Sequence, residues 1–105
     1  MNSSRISELL KTRPKTNLYW GLYFGGVEQG AQPDLGMAIA KKFAKRAVDR
    51  NKLKRMVREL VWKAQAEKIN SDVVVKLKKP IGRETRGRLR IQEKKAIRAQ
   101  IIGIL

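Results

Sequence analysis

Cysteine and histidine are both missing from the 105 residues. Without cysteine there is no disulfide framework and no thiolate metal site. Without histidine the chain lacks the usual general base at neutral pH and the commonest metal ligand. Acids are scarce: Glu8, Glu28, Asp34, Asp49, Glu59, Glu67, Asp72, Glu84 and Glu93 are all there are. They show no paired spacing, whereas a two-metal nuclease centre draws on several convergent carboxylates. The expectation is a chain with no catalytic residue and no metal-ligand set of its own. Long apolar runs are missing as well. The N-terminus has no stretch of signal-peptide length, and nothing approaches the roughly 18 apolar residues of a membrane span. A soluble, cytoplasmic protein with no membrane partner is expected.

What the sequence has in excess is positive charge. Twenty-five Lys and Arg against nine acids give a formal charge of +16 and a pI near 10.9. A domain this basic repels itself and draws polyanions from a distance. Nucleic acid is the leading partner, ahead of an anionic membrane surface or an acidic protein. An apolar fraction of 42% argues against disorder throughout. The length suits one domain, residues 1–105, and no repeat, low-complexity tract or linker suggests a second.

The charge is concentrated. Residues 41–59 hold nine of the 25 cations, opposed only by Asp49 and Glu59. A helix is expected to begin between Ala44 and Asp49 and to run to Glu67 or Lys68. Leu53, Val57, Leu60, Val61 and Ala64 recur at the spacing of one helical stripe. At about 100° per residue, Asn51, Arg55, Arg58 and Trp62 form a neighbouring stripe, with Lys54 between the two and Arg50 in the first turn. A solvated face usually mixes charges of both signs, and this one does not. Asn51 suits a specific donor or acceptor in RNA, or else bonds its own backbone. Trp62 is either core rim or a stacking surface. If this edge neutralises about five phosphates, log K should fall against log salt with a slope of roughly −4.

The remaining segments read as strands and short helices. Residues 1–17 admit only a short helix before Pro14. Leu18–Phe24 is an aromatic strand closed by Gly25-Gly26, with Leu18, Trp20, Leu22 and Phe24 on the core side. Tyr19 and Tyr23 fall on its other face, separated by Gly21. They either stack unpaired bases or pack under a helix or at the surface. Leu35–Ala40 is a second strand, expected antiparallel to the first across a hairpin-like loop. Asp72–Leu77 reads as an inner strand from its β-branched apolar run. Gly82–Gly87 is a basic loop or frayed helical start. A last helix from Leu89 to Ile102 turns Ala96, Ile97, Ile101 and Ile104 inward, and Lys94, Lys95 and Arg98 outward.

Two runs carry a resemblance: Gly36-Met37-Ala38-Ile39-Ala40-Lys41-Lys42, and Ala47-Val48-Asp49-Arg50-Asn51-Lys52-Leu53-Lys54-Arg55-Met56-Val57-Arg58-Glu59. With Asp72–Val75 and Lys79-Pro80, they resemble the signature of the bacterial ribonuclease P protein component over about residues 35–80. The resemblance implies an α+β fold, an α/β sandwich in which a small mixed sheet is packed by about three helices, with a left-handed βαβ crossover. It implies the non-catalytic subunit of an endoribonuclease whose active site is in its RNA, binding that RNA and the 5′ leader of precursor tRNA as a monomer in a 1:1 complex. Magnesium would arrive with the RNA, and the chain itself would bind no cofactor. Carried over by position, Arg50, Asn51, Lys54, Arg55 and Arg58 face the ribozyme, with Lys41 and Lys42 at the helix mouth. The neighbouring Lys45, Arg46 and Lys52 complete the expected RNA-binding set, and Tyr19 and Tyr23 would line a leader cleft. Lys52 stands where the family has Arg, which keeps the charge and loses the bidentate fork. Leu9 and Leu10 stand where it tends to have phenylalanines, in a shorter N-terminal helix.

Two other classes fit the composition. A basic ribosomal protein shares the charge and size, but the spacing from Lys41-Lys42 to Arg50-Asn51 argues against it. A helix-based DNA binder would carry a helix-turn-helix pattern ahead of the basic helix, and none is present.

Overall fold

Val73, Val74 and Val75 are all fully buried, and a strand buries successive side chains only when both its faces are covered. They lie in the middle of a four-stranded sheet in a computed structural model that describes residues 1–82 and 89–105. The elements run α1 (Ser3–Leu10), β1 (Lys15–Thr16), β2 (Trp20–Gly25), β3 (Leu35–Ala38), α2 (Ala47–Glu67), β4 (Asp72–Leu77) and α3 (Ile91–Ile104). The strand order is β1-β2-β4-β3. β2 runs antiparallel to β4, with Leu22 opposite Val75 and Tyr23 opposite Val74. β3 runs parallel to β4, with Gly36 opposite Val74 and Met37 opposite Val75. The sheet is therefore mixed, and α2 is the crossover from β3 to β4. Three helices on a small mixed sheet are the α+β architecture the sequence suggests.

The hairpin between the first two long strands does not form. β4 inserts between β2 and β3, so these two consecutive strands never pair with each other. The apolar run of β4 is the segment best suited to burial on both sides, and it takes the inner place. Residues 26–34 then bridge two strand spacings, roughly 10 Å.

One sheet face carries the main core. Trp20, Leu22, Val73, Val75 and Leu77 pack against Leu53, Met56, Val57 and Val61 of α2 and Ile97 and Ile101 of α3. Met56 joins the expected helix stripe, and Leu60 is only half-buried. Burying each such aliphatic side chain contributes about 1.5–3 kcal/mol. The Trp20 indole Nε1–H donates to the Ile97 carbonyl at 3.1 Å, fastening α3 to the sheet. Asn17 Nδ2 donates to the Gln100 carbonyl at 2.7 Å beside it.

The second face is half covered by α1, with Leu9 and Val74 buried. Glycine permits the approach. A Cβ at Gly36 would stand 2.8 Å from Ile6 Cγ1, and one at Gly25 would strike Leu9 Cδ2. Arg5 latches this helix down, donating to Asp72 Oδ2 at 3.1 Å and to the Gly26 carbonyl at 2.8 Å.

Three features depart from expectation. Leu18 is exposed, because the Asn17 N–H donates to the Trp20 carbonyl and this turn precedes the strand, where alternation does not yet apply. Ala96 is exposed, leaving Ile97 and Ile101 as the buried residues of α3 with Ile104 half-buried. β1 has no signal in the sequence: after Pro14 the chain turns back and pairs Lys15 with Leu22 along the sheet edge. The basic loop expected over Gly82–Gly87 lies, beyond Gly82, outside the described residues.

Candidate nucleic-acid interface

Burial of Leu53, Met56, Val57, Val61 and Ala64 fixes the rotation of α2 and forces the opposite face outward. Asn51, Lys52, Arg55, Arg58 and Trp62 are all exposed, and Lys54 is half-buried beside them. Trp62 stands outside the core with 56% of its surface exposed, and the Arg58 guanidinium lies 5.8 Å from its ring. Lys41, Lys42, Lys45 and Arg46 are exposed ahead of the helix. The expected stripe is thus presented to solvent as one surface.

That surface has almost no internal counter-charge. Among the described residues, Arg5 and Arg46 are the only Lys or Arg with a carboxylate oxygen within 4.0 Å. Several of the acids are engaged elsewhere. Asp72 holds Arg5 and the Asp34 amide, and Glu93 accepts from the Gly82 amide at 2.8 Å. Asp49, in the first turn of α2, is buried and accepts from the Leu89 amide at 3.0 Å. It joins the start of α2 to the segment entering α3. An acid in a first helical turn is so ordinary that the sequence carries no sign of this second role.

Arg50 differs from its neighbours. It is half-buried, and its Nη1 donates to the Ala44 carbonyl at 2.8 Å and the Lys45 carbonyl at 3.0 Å. Rather than reaching past the helix end, the guanidinium folds back and closes the turn that displays Lys41, Lys42 and Lys45. The same turn is tied to the exit of β4 by the Ile81 amide, which donates to the Phe43 carbonyl at 2.9 Å.

A cleft adjoins this turn. α1 covers only the Gly25–Gly36 end of the second sheet face, and past it the Tyr23 ring lies along Gly21, 3.4 Å from where a Cβ would stand. Lys76 shares that face and is exposed. A space of about 700 Å³ opens at the carboxyl ends of β3 and β4, between Ala38, Lys42, Phe43, Lys76 and Lys78. Lys42 thus lies at the junction of helix surface and cleft. Sequence reasoning misses Lys76 and Lys78, although a lysine interrupting Val-Val-Val-x-Leu marks an outward strand position. Tyr19 has other surroundings. It packs against the main core, its amide donates to Gln100 Oε1, and the Lys79 ammonium lies 5.3 Å from its ring.

Among the described residues no three His, Cys, Asp or Glu gather as a metal site, and no helix is long and apolar enough to cross a membrane. What the surface offers chemically is cation donors and two accessible rings, Tyr23 and Trp62, suited to phosphates and bases.

Comparison with known proteins agrees with this chemistry. The family model described as Ribonuclease P matches residues 5–100. The ribonuclease P protein component of Pasteurella multocida (strain Pm70) is 45% identical over 53 residues, which are 50% of this chain and 44% of that protein. That of Burkholderia mallei (strain SAVP1) is 32% identical over 78 residues, 73% of this chain and 56% of that one. These matches span about half the length of the curated relatives. Among solved structures, the RNase P protein from Thermotoga maritima in complex with 1-(4-fluorophenyl)-2-thiourea superposes with a TM-score of 0.69 at 26% identity, covering 100% of this chain and 96% of that one. The Staphylococcus aureus RNase P protein gives 0.68 at 21% identity over 99% and 84%, a likeness of fold.

Proposed function

The chain belongs to the ribonuclease P protein family, and from that premise we propose that it is the protein subunit of a bacterial ribonuclease P. In this reading it binds the catalytic RNA through the outer face of α2 and the 5′ leader of precursor tRNA through the sheet face of Tyr23 and Lys76 and the cleft that Lys76 lines. The observation that carries the reading is the row Lys52, Arg55 and Arg58, exposed on one helix face with no carboxylate within ion-pair distance. Such a row is electrostatically incomplete until a polyanion lies on it. The family match favours this reading over a ribosomal protein or a DNA-binding helix.

The chain contributes counter-charge and positioning, and bond breaking belongs to the RNA. Two RNA segments brought together repel, and cations on adjoining surfaces lower that cost at both. Lys42 and Lys76 flank the cleft where a single-stranded leader would run, and Tyr23 offers a ring for one unpaired base. Tyr19 would meet the leader only from the far end of the strand. Magnesium is held by the RNA partner, the complex is 1:1 and its setting is the cytoplasm. The test is reconstitution with a bacterial ribonuclease P RNA, followed by precursor tRNA cleavage at low magnesium. Stimulation of cleavage is the expected result. Failure to stimulate, with the protein folded, refutes the proposal.

A further inference from the structure

Lys52, Arg55 and Glu59 succeed one another on α2 at spacings of three and four, which places them along one flank of the helix. Lys94 and Arg98 stand at i and i+4 on α3 and line up in the same way. The hold of Trp20 on Ile97 and of Asn17 on Gln100 sets α3 beside α2, so that the two rows become opposite walls of a groove. The groove encloses about 280 Å³ and is floored by Met56, itself buried. Four cations there face one carboxylate. None of the four side chains has a hydrogen-bond or ion-pair partner among the described residues, and Glu59 forms no ion pair there either. Like charges held on facing walls repel until an anion enters between them.

We propose that the α2–α3 groove is a phosphodiester site that takes the backbone of the folded catalytic RNA, extending the RNA-binding surface onto α3 through Lys94 and Arg98. This rests on the reading of the chain as an RNA-binding subunit and adds residues that reading does not include. The two guanidinium groups supply planar forks matched to phosphate oxygens, and the two ammonium groups supply point charges. The groove lies in the helical layer, whereas Tyr23 lies on the opposite face of the sheet. Its occupant is therefore the partner RNA rather than the leader. Glu59 lines the groove as an opposing charge, so its removal should tighten binding.

The 105-residue chain is titrated with a bacterial ribonuclease P RNA over a range of salt concentrations. Lys94→Ala/Arg98→Ala should make the slope of log K against log salt shallower by about two, one for each phosphate left without its cation. Glu59→Gln should bind about two- to fivefold tighter, the scale of a solvent-exposed charge interaction. Lys63→Ala/Lys68→Ala removes the same net charge from exposed positions outside the groove and should leave the slope within about half a unit of the parent. An unchanged slope in the first double variant overturns the proposal, as does an equal fall in the control or weaker binding by Glu59→Gln. A melting-temperature rise with inorganic phosphate that the groove variant loses, while RNA binding is unaffected, would make this a free-anion site and also overturns it. Failure of the parent protein to stimulate cleavage is read separately, and counts against the proposed function instead.

Discussion

Replacing Arg50 with alanine should destabilise the protein even when no RNA is present, although the residue is one of those proposed to face RNA. Its guanidinium donates from one nitrogen to two carbonyls, a part-buried one on Ala44 and an exposed one on Lys45. A hydrogen bond from a charged donor contributes about 1.5–3 kcal/mol when sheltered, and much less where water competes. Taking the Ala44 bond as the one that counts, the loss should be about 1–2 kcal/mol. For a domain of this size that corresponds to a fall of roughly 5–10 °C in melting temperature. Arg55 and Arg58 bond to no carbonyl or carboxylate, so alanine at either should stay within about 0.5 kcal/mol of the parent. Arg50→Lys keeps the charge without the fork and should melt between parent and Arg50→Ala. Thermal unfolding of these proteins without RNA is sufficient. An Arg50→Ala protein melting within about 2 °C of the parent would show that the folded-back guanidinium holds nothing. Affinity lost on mutating Arg50 would then be purely electrostatic, as it is expected to be at Arg55.

Tyr23→Ala should weaken binding of precursor tRNA that carries a leader by about 1–3 kcal/mol, the worth of one stacked base, while binding of mature tRNA and of the catalytic RNA stays level. Equal losses in all three would remove Tyr23 from the proposed leader site. Asp49→Ala strands the buried Leu89 amide and should cost about 1–3 kcal/mol in urea melts, with faster hydrogen exchange at that amide; unchanged protection there would contradict the latch. Gly36→Ala forces a Cβ against Ile6 and should loosen α1 at a cost of about 1–3 kcal/mol. Limited proteolysis before Pro14 should then accelerate, and an unaltered cleavage rate would count against α1 as the cover of that sheet face.

The sequence reveals most where local pattern decides. The span and rotation of α2 follow from five apolar positions, and the inner place of β4 follows from its run of valines. Pairing partners are beyond it, because which strand lies beside β4 depends on residues far apart along the chain; hence the expected hairpin. Leu18 and Ala96 are misplaced by carrying a regular period past a turn or onto an outer helix face. Arg50 and Asp49 are legible by charge alone, since nothing in a sequence says whether a first-turn side chain turns outward or folds back. The wall formed by Lys94 and Arg98 becomes a groove only once Trp20 has set the position of α3.

The central place of β4 also sets an order of events during synthesis. β2 and β3 have no common neighbour until residues 72–77 leave the ribosome, and α1 has no Asp72 to grip with Arg5 until then. A nascent chain that has exposed its whole basic helix still lacks the sheet surface on which Tyr23 is displayed. Such long-range closure is the slow part of folding in mixed sheets. The half-made protein already carries the charge proposed to attract RNA, but the sheet face proposed for a single strand takes shape only when its last β-segment slots home.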